Sequence, residues 1–518
     1  MIVPTTTQPN NPAELDATKL AGGATVTLLG KVANSLFQFI SQILLARFLE
    51  PSLFGIYALG WTLLSLVEML APLGLERGVL RFGARYSRAE ASGLKSVIVQ
   101  SLGLALTSGL LISLGVYFSA PWLVDQVFHK PGLTLVMRGL AFAFPLLAGL
   151  NVASAATRLS QQMKFSTYAE DIGQPLTNLI LIALSFYLGW GLFGSIAAGV
   201  ISFGVGFLLA LFYLKRLFPE VFSPSVELKP LVKDLLAFSL PASGSGIFVF
   251  LVMRIDRLML GHFRPAAEVG VYQAISQLSI VFVFILTAFA AMLSPMITEL
   301  YHKNEIPRLE ALYRISTKWG FYLSLPVFLV MCFAPREIIL TLFGPLYGGG
   351  ELPLIILAFG QLFNVATGAV GPLLIMTGHQ NHWLRNSSLI LGATILLNWI
   401  LIPRWGLIGA ALGTTCALIG LYLLGLRDLK RLLNIGPYDR RYLKGLIAAA
   451  SAGLGLLVLH GLQIKPVLLN VALVGLTAEI IFWGMLLVLG LDAEDRGFIK
   501  TLRTSLTRLK FKAGFTQR

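Results

Sequence analysis

The chain has 518 residues, of which 56% are hydrophobic and 13% are charged. Soluble domains carry about 25% charged residues, so this composition excludes a water-soluble protein of this size and indicates an integral membrane protein. The formal charge of +15 does not indicate a nucleic-acid partner, because the basic residues lie in short stretches between apolar runs, where cytoplasmic Lys and Arg are expected.

Apolar runs of roughly 20 residues, long enough to cross ~30 Å of hydrocarbon, predict about fourteen transmembrane helices. Two runs, 174–214 and 386–427, are too long for one crossing, and each contains a Trp-Gly pair that we interpret as a break between two helices. In chain order the predicted helices cover 22–46, 55–76, 96–119, 133–156, 174–189, 192–214, 235–261, 269–297, 317–336, 352–377, 386–403, 406–427, 443–463 and 466–491.

The distribution of Lys and Arg predicts the orientation. An even number of helices puts both termini on one side, and the loops and tails of that side hold about 30 of the 40 basic residues. Cytoplasmic loops carry an excess of Lys and Arg. The pattern therefore predicts a cytoplasmic N-terminal tail (1–21), a basic cytoplasmic tail (492–518) and a multi-pass protein of the cytoplasmic membrane.

The chain repeats itself at an offset of 215 residues. The pair Trp190-Gly191 recurs as Trp405-Gly406, and further matches join Leu45, Phe48, Gly55 and Tyr57 to Leu260, Phe263, Gly270 and Tyr272. The offset predicts two six-helix lobes of the same orientation, related by a pseudo-two-fold axis along the membrane normal, between which transporters place their substrate. The predicted domains are an N-lobe (22–214), a cytoplasmic linker (215–234), a C-lobe (235–427) and the last two helices (428–491).

Three segments carry a family resemblance: residues 44–58, the stretch from Asp256-Arg257 to Tyr272, and Gly406-Leu-Ile-Gly-Ala-Ala411. Together they resemble the polysaccharide transporter family of the multidrug, oligosaccharidyl-lipid and polysaccharide exporter superfamily. The resemblance implies an all-α, MATE-like membrane bundle with a central cavity that opens alternately to either side. It also implies that the chain flips lipid-linked oligosaccharides across a bacterial inner membrane.

Polar side chains follow one face of predicted helix 1. The spacing of three and four residues places on that face Lys31, Asn34, Ser35, Gln38, Ser41 and Gln42. A lysine inside a membrane helix is costly and usually faces a cavity, so we interpret the stripe as a lumen wall for sugars and phosphate. Hydrogen bonding between packed helices is the alternative. Predicted helix 2 carries a second stripe, formed by Tyr57, Trp61, Ser65 and Glu68.

Two basic clusters are candidate phosphate ligands, because guanidinium groups bind phosphate bidentately. Arg77, Arg81 and Arg85 share a face at the predicted cytoplasmic end of helix 2; anchoring to anionic lipid is the alternative. Arg254 and Arg257 lie on helix 7 with Asp256 between them, and a structural ion pair is the alternative there. The family resemblance supports a functional role for this second cluster.

The sequence indicates no cofactor. The six histidines have no metal-ligand spacing, and no Gly-rich phosphate loop indicates direct use of ATP. Cycling would then draw on an ion, voltage or substrate gradient, for which Glu68 and Asp256 are candidate proton or ion sites.

These observations favour a flippase, not an enzyme, for polyprenyl phosphate- or pyrophosphate-linked oligosaccharide used in cell-surface polysaccharide biosynthesis. Its expected partners are that substrate, membrane lipid, a coupling proton or cation, and polysaccharide-assembly proteins. Alternatives are export of cationic drugs, a membrane glycosyltransferase, polymerase or ligase, and a structural scaffold. Drug export favours acidic and aromatic cavity walls, and the enzymes favour catalytic carboxylates or a large extracytoplasmic loop.

Overall fold

The computed structural model describes residues 12–68, 71–86, 90–223, 226–243, 247–460, 467–490 and 492. Within these ranges the chain is all-α and contains no strand. The first half comprises α1 (Pro12–Glu68), α2 (Leu75–Gly83), α3 (Ala91–Leu123), α4 (Pro131–Ala141), α5 (Ala143–Arg158), α6 (Met163–Ser166), α7 (Gln174–Tyr187), α8 (Gly191–Leu217) and α9 (Val232–Ser243). The second half comprises α10 (Ile247–Phe263), α11 (Ala266–His302), α12 (Ile306–Phe333), α13 (Pro335–Phe343), α14 (Glu351–Thr367), α15 (Val370–Met376), α16 (Gln380–Leu432), α17 (Tyr442–His460) and α18 (Val467–Val488).

Both predicted Trp-Gly breaks are confirmed. The chain leaves α7 at Tyr187 and starts α8 at Gly191, and α16 is broken at Gly406, whose φ of 51° and ψ of −121° are not helical. A third break lies in α1 at Glu50, with φ of 60°, directly before Pro51. Nine helices of the described ranges are long and apolar enough to cross a membrane, or ten with the bent pair α14 and α15. The membrane-helix architecture is confirmed, and the count of fourteen stays a prediction.

Several predicted boundaries are wrong, because a helix continues beyond its apolar run. The first helix begins at Pro12 instead of residue 22, and α12 begins at Ile306 instead of residue 317. Predicted helix 2 does not continue to residue 76: α1 ends at Glu68, and α2 starts after Gly74, whose φ of 69° favours glycine. The predicted ends of helices 13 and 14, at 463 and 491, lie outside the described residues.

The chain divides into two compact units. Unit 1 comprises Met1–Gln277 and Ile395–Ala410, and unit 2 comprises Leu278–Thr394 and Ala411–Arg518. The predicted lobes, 22–214 and 235–427, and the linker between them stay a prediction. The predicted N-terminal tail (1–21) is helical from Pro12, with 1–11 outside the described residues, as is the C-terminal tail beyond residue 492.

In unit 1, α1 and α11 cross with their backbones in contact. A Cβ atom on Gly55 would lie 1.8 Å from the carbonyl oxygen of Ala266, and one on Gly270 would lie 2.0 Å from that of Pro51. Gly55 and Gly270 are equivalent positions of the 215-residue repeat, and so are Pro51 and Ala266. The contact is therefore reciprocal, as a local two-fold relation requires. Small residues let membrane helices approach this closely.

In unit 2, a buried lysine lies beside an acidic residue that follows the last helix. Lys318 of α12 is 2% exposed, and its Nζ lies 4.0 Å from the Asp492 carboxylate. Asp492 also accepts a hydrogen bond of 2.9 Å from the Lys444 ammonium of α17. Asp492 thus ties the end of α18 to α12 and α17, and it supplies negative charge to a lysine that is costly to bury unpaired.

We expect Asp492→Asn to lower the melting temperature of the protein by a few degrees at neutral pH. The hydrogen bond from Lys444 holds the pKa of Asp492 below its ordinary value. The stabilisation is therefore complete above the unfolded pKa of about 3.9 and is lost as the pH falls through the lower folded pKa. Melting temperatures measured from about pH 7 to about pH 3 check this prediction. The difference in melting temperature between variant and wild type should become smaller towards acid pH. A gap that widens there contradicts it.

Candidate functional site

The polar stripe of helix α1 is divided between exposed and bonded side chains. Lys31 and Gln38 are exposed, and the Gln38 Nε2 donates a 2.7 Å hydrogen bond to the Asn34 Oδ1. The Gln42 Oε1 accepts a 3.3 Å hydrogen bond from Gln273 of α11. Gln42 thus makes the hydrogen bond between packed helices that was the alternative, whereas ligand binding by Lys31 and Gln38 stays a prediction. Ser41 is buried.

The charged partners of Lys31 come from a π-helical turn, Thr167–Gly173, that joins α6 to α7. Asp171 and Glu170 both interact electrostatically with Lys31, and Asn34 hydrogen-bonds Asp171. A Cβ on Gly30 would lie 2.1 Å from the Thr167 side chain and 3.3 Å from that of Asp171, so the missing side chain lets α1 approach this turn. This turn was not expected from the sequence, because residues 157–173 lie between two predicted helices.

Glu170 connects two further elements. Its Oε2 accepts a 2.6 Å hydrogen bond from the Arg158 guanidinium at the end of α5. It also interacts with the carboxylate of Glu68, the last residue of α1, and Glu68 in turn interacts with Arg254 of α10. Glu68 therefore lies between a carboxylate that repels it and a guanidinium that attracts it.

In α10, the acid of the predicted cluster is held by neighbours other than Arg254. The Asp256 Oδ2 accepts a 2.7 Å hydrogen bond from the Tyr272 hydroxyl of α11, and its Oδ1 accepts one of 2.8 Å from the Arg257 backbone N–H. Arg257 is 8% exposed, and its buried Nε has no hydrogen-bond partner among the described residues. Arg254 is only partly buried; it is repelled by Arg257 and attracted by Asp256 and Glu68.

We define these groups as the ionic network of unit 1. Its cations are Lys31, Arg158, Arg254 and Arg257, and its carboxylates are Glu68, Glu170, Asp171 and Asp256. The formal charges balance. An anionic ligand therefore cannot be held by surplus charge alone; it must take a cation from a carboxylate or bind when a carboxylate becomes protonated.

The other predicted phosphate ligands lie outside this network. Arg77 and Arg81 are on the short helix α2, and Arg85 follows it in a turn. The Arg77 Nε lies 3.9 Å from Glu76, and the Arg81 guanidinium stacks 4.2 Å above the Phe238 ring of α9. All three are exposed, so a role in binding phosphate stays a prediction for Arg77 and Arg81.

The polar stripe of predicted helix 2, which lies in the second half of α1, is mainly a packing surface. Tyr57 is 2% exposed, and its ring stacks on Trp61, which stacks in turn on Phe203 of α8. The Ser65 hydroxyl donates to the backbone carbonyl of Trp61. Of this stripe only Glu68 reaches the ionic network. No group of three metal-ligating side chains occurs in the described part of the chain.

Comparisons with known proteins agree with this architecture. The chain is 26% identical over 183 residues to the capsular polysaccharide biosynthesis protein CapF of Staphylococcus aureus, a match that covers 35% of this chain and 46% of CapF. It is 26% identical over 348 residues to the succinoglycan biosynthesis transport protein ExoT of Rhizobium meliloti, covering 66% of each chain. The chain thus spans less than two thirds of either relative.

A solved structure shows the same fold. The lipid II flippase MurJ, in an inward closed conformation, superposes with a TM-score of 0.65 at 14% identity, covering 89% of this chain and 99% of MurJ. A MatE family model matches residues 241–400. A family model described as polysaccharide biosynthesis protein matches residues 20–301, more than half of the sequence. The chain is a multi-pass membrane protein that belongs to the polysaccharide biosynthesis protein family and has a MATE-like transporter fold.

Proposed function

We propose that the chain flips a lipid-linked oligosaccharide across the bacterial cytoplasmic membrane, for cell-surface polysaccharide biosynthesis, by alternating access. The substrate class is a saccharide joined through phosphate or pyrophosphate to a polyprenyl lipid. The observation that supports it best is the ionic network of unit 1, because ionised side chains on membrane helices usually face the bundle interior or a water-filled cavity, where they pair with one another. The names of CapF, ExoT and MurJ agree with a role in glycan or lipid-linked precursor transport.

Among the four cations of the ionic network, Arg254 is the one most available to bind a phosphate. Asp256 is already bonded to Tyr272 and to the Arg257 backbone, and Arg257 is almost fully buried. Arg254 is attracted by Asp256, whose two oxygens already accept those hydrogen bonds, and by the carboxylate of Glu68. A phosphate could therefore displace Glu68 from Arg254 and gain bidentate hydrogen bonds. Lys31 would bind the same anionic group from α1.

The sugars would lie along the α1 stripe. Asn34 and Gln38 bond to each other through one donor and one acceptor, which leaves further amide donors and acceptors for hydroxyl groups. Gln38 is exposed, as this role needs. The polyprenyl chain needs no protein wall, since it can remain in lipid while the polar part crosses.

The same geometry suggests how binding and coupling are linked. When phosphate takes Arg254, Glu68 is left beside Glu170 without its cation, and taking up a proton or cation relieves that repulsion. Glu68 is therefore the proposed ion-coupling residue. Asp256, held by Tyr272, would act mainly by orienting α10 against α11.

A reconstitution assay tests the function. The purified protein is placed in liposomes that contain a polyprenyl diphosphate-linked disaccharide with a fluorescent nitrobenzoxadiazole group on the sugar, and dithionite is added outside. Without protein, only the outer-leaflet probe is bleached. With protein, we expect bleaching to proceed towards completion as inner-leaflet headgroups are moved outward.

A lipid with the same fluorophore on a phosphatidylcholine headgroup is the specificity control, and we expect no acceleration for it. Equal transport of both probes would indicate nonspecific scrambling. No transport of the saccharide probe by folded protein, together with proton-driven uptake of a cationic dye, would favour drug export instead.

A further inference from the structure

Unit 2 contains a second basic site, formed where the two ends of α16 come together. The break at Gly406 reverses the direction of this helix, so its first turns and its last turns lie side by side. Between them is a pocket of about 370 Å³, lined on one side by His382, Arg385 and Asn386 and on the other by Arg427, Asp428 and Arg431. Its volume is in the range of small-ligand sites.

One buried carboxylate, that of Asp428, accepts hydrogen bonds from polar side chains that line this pocket. Asp428 is 6% exposed; one of its oxygens accepts hydrogen bonds of 2.8 Å from Asn386 and 3.2 Å from the Arg385 guanidinium. His382 lies 3.8 Å from the same oxygen. The buried acid therefore fixes Arg385 and Asn386 across the gap between the two helix ends, which pre-forms one wall of the pocket.

The remaining charge of the pocket is positive and uncompensated. Arg427 and Arg431 are four residues apart, on one face of the last helical turns, and are both exposed. Neither makes an ion pair with any residue that the structure describes. Three guanidinium groups thus share one carboxylate, a surplus of two positive charges. Guanidinium groups that converge on one pocket suit the oxygens of a phosphate.

The rim of the pocket is apolar. Leu389 is 61% exposed and Leu432 is 38% exposed, and both line the pocket together with Leu424. Guanidinium groups beside leucine side chains suit a lipid phosphate better than a free phosphate ion, which has no apolar part.

We propose that this pocket binds the phosphate of an anionic membrane phospholipid. The phosphate oxygens contact Arg427 and Arg431, Arg385 is held ready by Asp428, and the glycerol and first acyl carbons lie along Leu389 and Leu432. The site is independent of the substrate network of unit 1. The predicted topology places both ends of α16 on the cytoplasmic side, where anionic headgroups of that leaflet would reach it.

The test compares two double variants that remove equal charge. R427Q/R431Q removes the two unpaired pocket arginines, and K430Q/R440Q removes two exposed cations of the same region that do not line the pocket. Binding of phosphatidylglycerol to the full-length protein in detergent is measured by native mass spectrometry and by lipid-induced thermal stabilisation. We expect R427Q/R431Q to bind it about tenfold more weakly or worse, and K430Q/R440Q to match wild type.

Two further arms identify the ligand. Phosphatidylcholine, whose headgroup has no net charge, and inorganic phosphate should each stabilise the wild type less than phosphatidylglycerol. Equal loss in both double variants would overturn the proposal in favour of nonspecific attraction. Inorganic phosphate binding as tightly as the lipid would overturn the lipid assignment. Melting of each variant without lipid verifies that it is folded.

Discussion

Arg254→Ala should lower the rate of headgroup translocation by about 100-fold, because removing a guanidinium that binds phosphate removes about 3 kcal/mol of charge-assisted hydrogen bonding. Arg254→Lys should retain part of the rate, since it keeps the charge but not the bidentate geometry. The matched control is Arg404→Ala, which removes an exposed arginine of the same unit. The liposome assay with the fluorescent disaccharide lipid measures all three, at equal amounts of folded protein.

The double variant E68Q/R254A separates phosphate binding by Arg254 from its balancing of the Glu68 charge. If Arg254 only balances the charge of Glu68, neutralising Glu68 removes the need for it, and the double variant should transport like wild type. If Arg254 binds the substrate phosphate, as we propose, the double variant should remain as slow as Arg254→Ala. Rescue by Glu68→Gln, or a normal rate for Arg254→Ala alone, would contradict the proposed site.

Much of the fold could be predicted from hydrophobic patterning. A membrane helix must present an apolar surface for the whole thickness of the hydrocarbon layer. Long apolar runs in the sequence therefore identify most of these helices. The Trp-Gly pairs marked two breaks correctly, because Gly191 and Gly406 adopt positive φ, with values of 51° each. The break at Glu50 falls between the predicted helices 22–46 and 55–76, where charged residues and Pro51 interrupt the apolar run.

The helix ends were less predictable for a physical reason. A helix that continues into the aqueous layer can become polar without ending, as α12 does between Ile306 and residue 317. Predicted helix 5 begins at residue 174, as α7 does, yet a π-helical turn precedes α7 directly. Helix boundaries that are assigned from hydropathy alone are therefore misplaced at such sites.

Five of the eight residues of the ionic network could be predicted from the sequence. Lys31, Glu68, Arg254, Asp256 and Arg257 stood out because charge inside an apolar run is costly. Their partners Arg158, Glu170 and Asp171 were missed, because they fell in a predicted loop where charge is ordinary. One feature of the sequence could have indicated them. A lysine in a membrane helix needs a carboxylate nearby, and Glu170-Asp171 directly precedes an apolar run. The pairing itself needed the three-dimensional structure.

Gly55→Ala should destabilise the protein strongly, although alanine is the better helix former. The new Cβ would lie 1.8 Å from the Ala266 carbonyl oxygen and 2.8 Å from the Gly270 nitrogen. Both are backbone atoms of α11, so no side chain can rotate away, and the two helices must separate. Overpacking costs about 1–3 kcal/mol or more, and we expect the upper end here. Gly270→Ala should behave alike, because its contact with Pro51 is the reciprocal one.

Gly103→Ala in α3 provides the matched control, since a Cβ there has no neighbour within 4 Å and alanine favours the helix by about 0.5–1 kcal/mol. Melting temperature in detergent and yield from the membrane compare the three variants with wild type. We expect Gly55→Ala and Gly270→Ala to lower both the melting temperature and the yield, and Gly103→Ala to leave both unchanged. If Gly55→Ala melts like Gly103→Ala, α1 and α11 do not cross in backbone contact. Because Glu68, Arg254 and Tyr272 belong to these helices or to their neighbour α10, loosening this crossing should also slow transport in whatever folded protein remains.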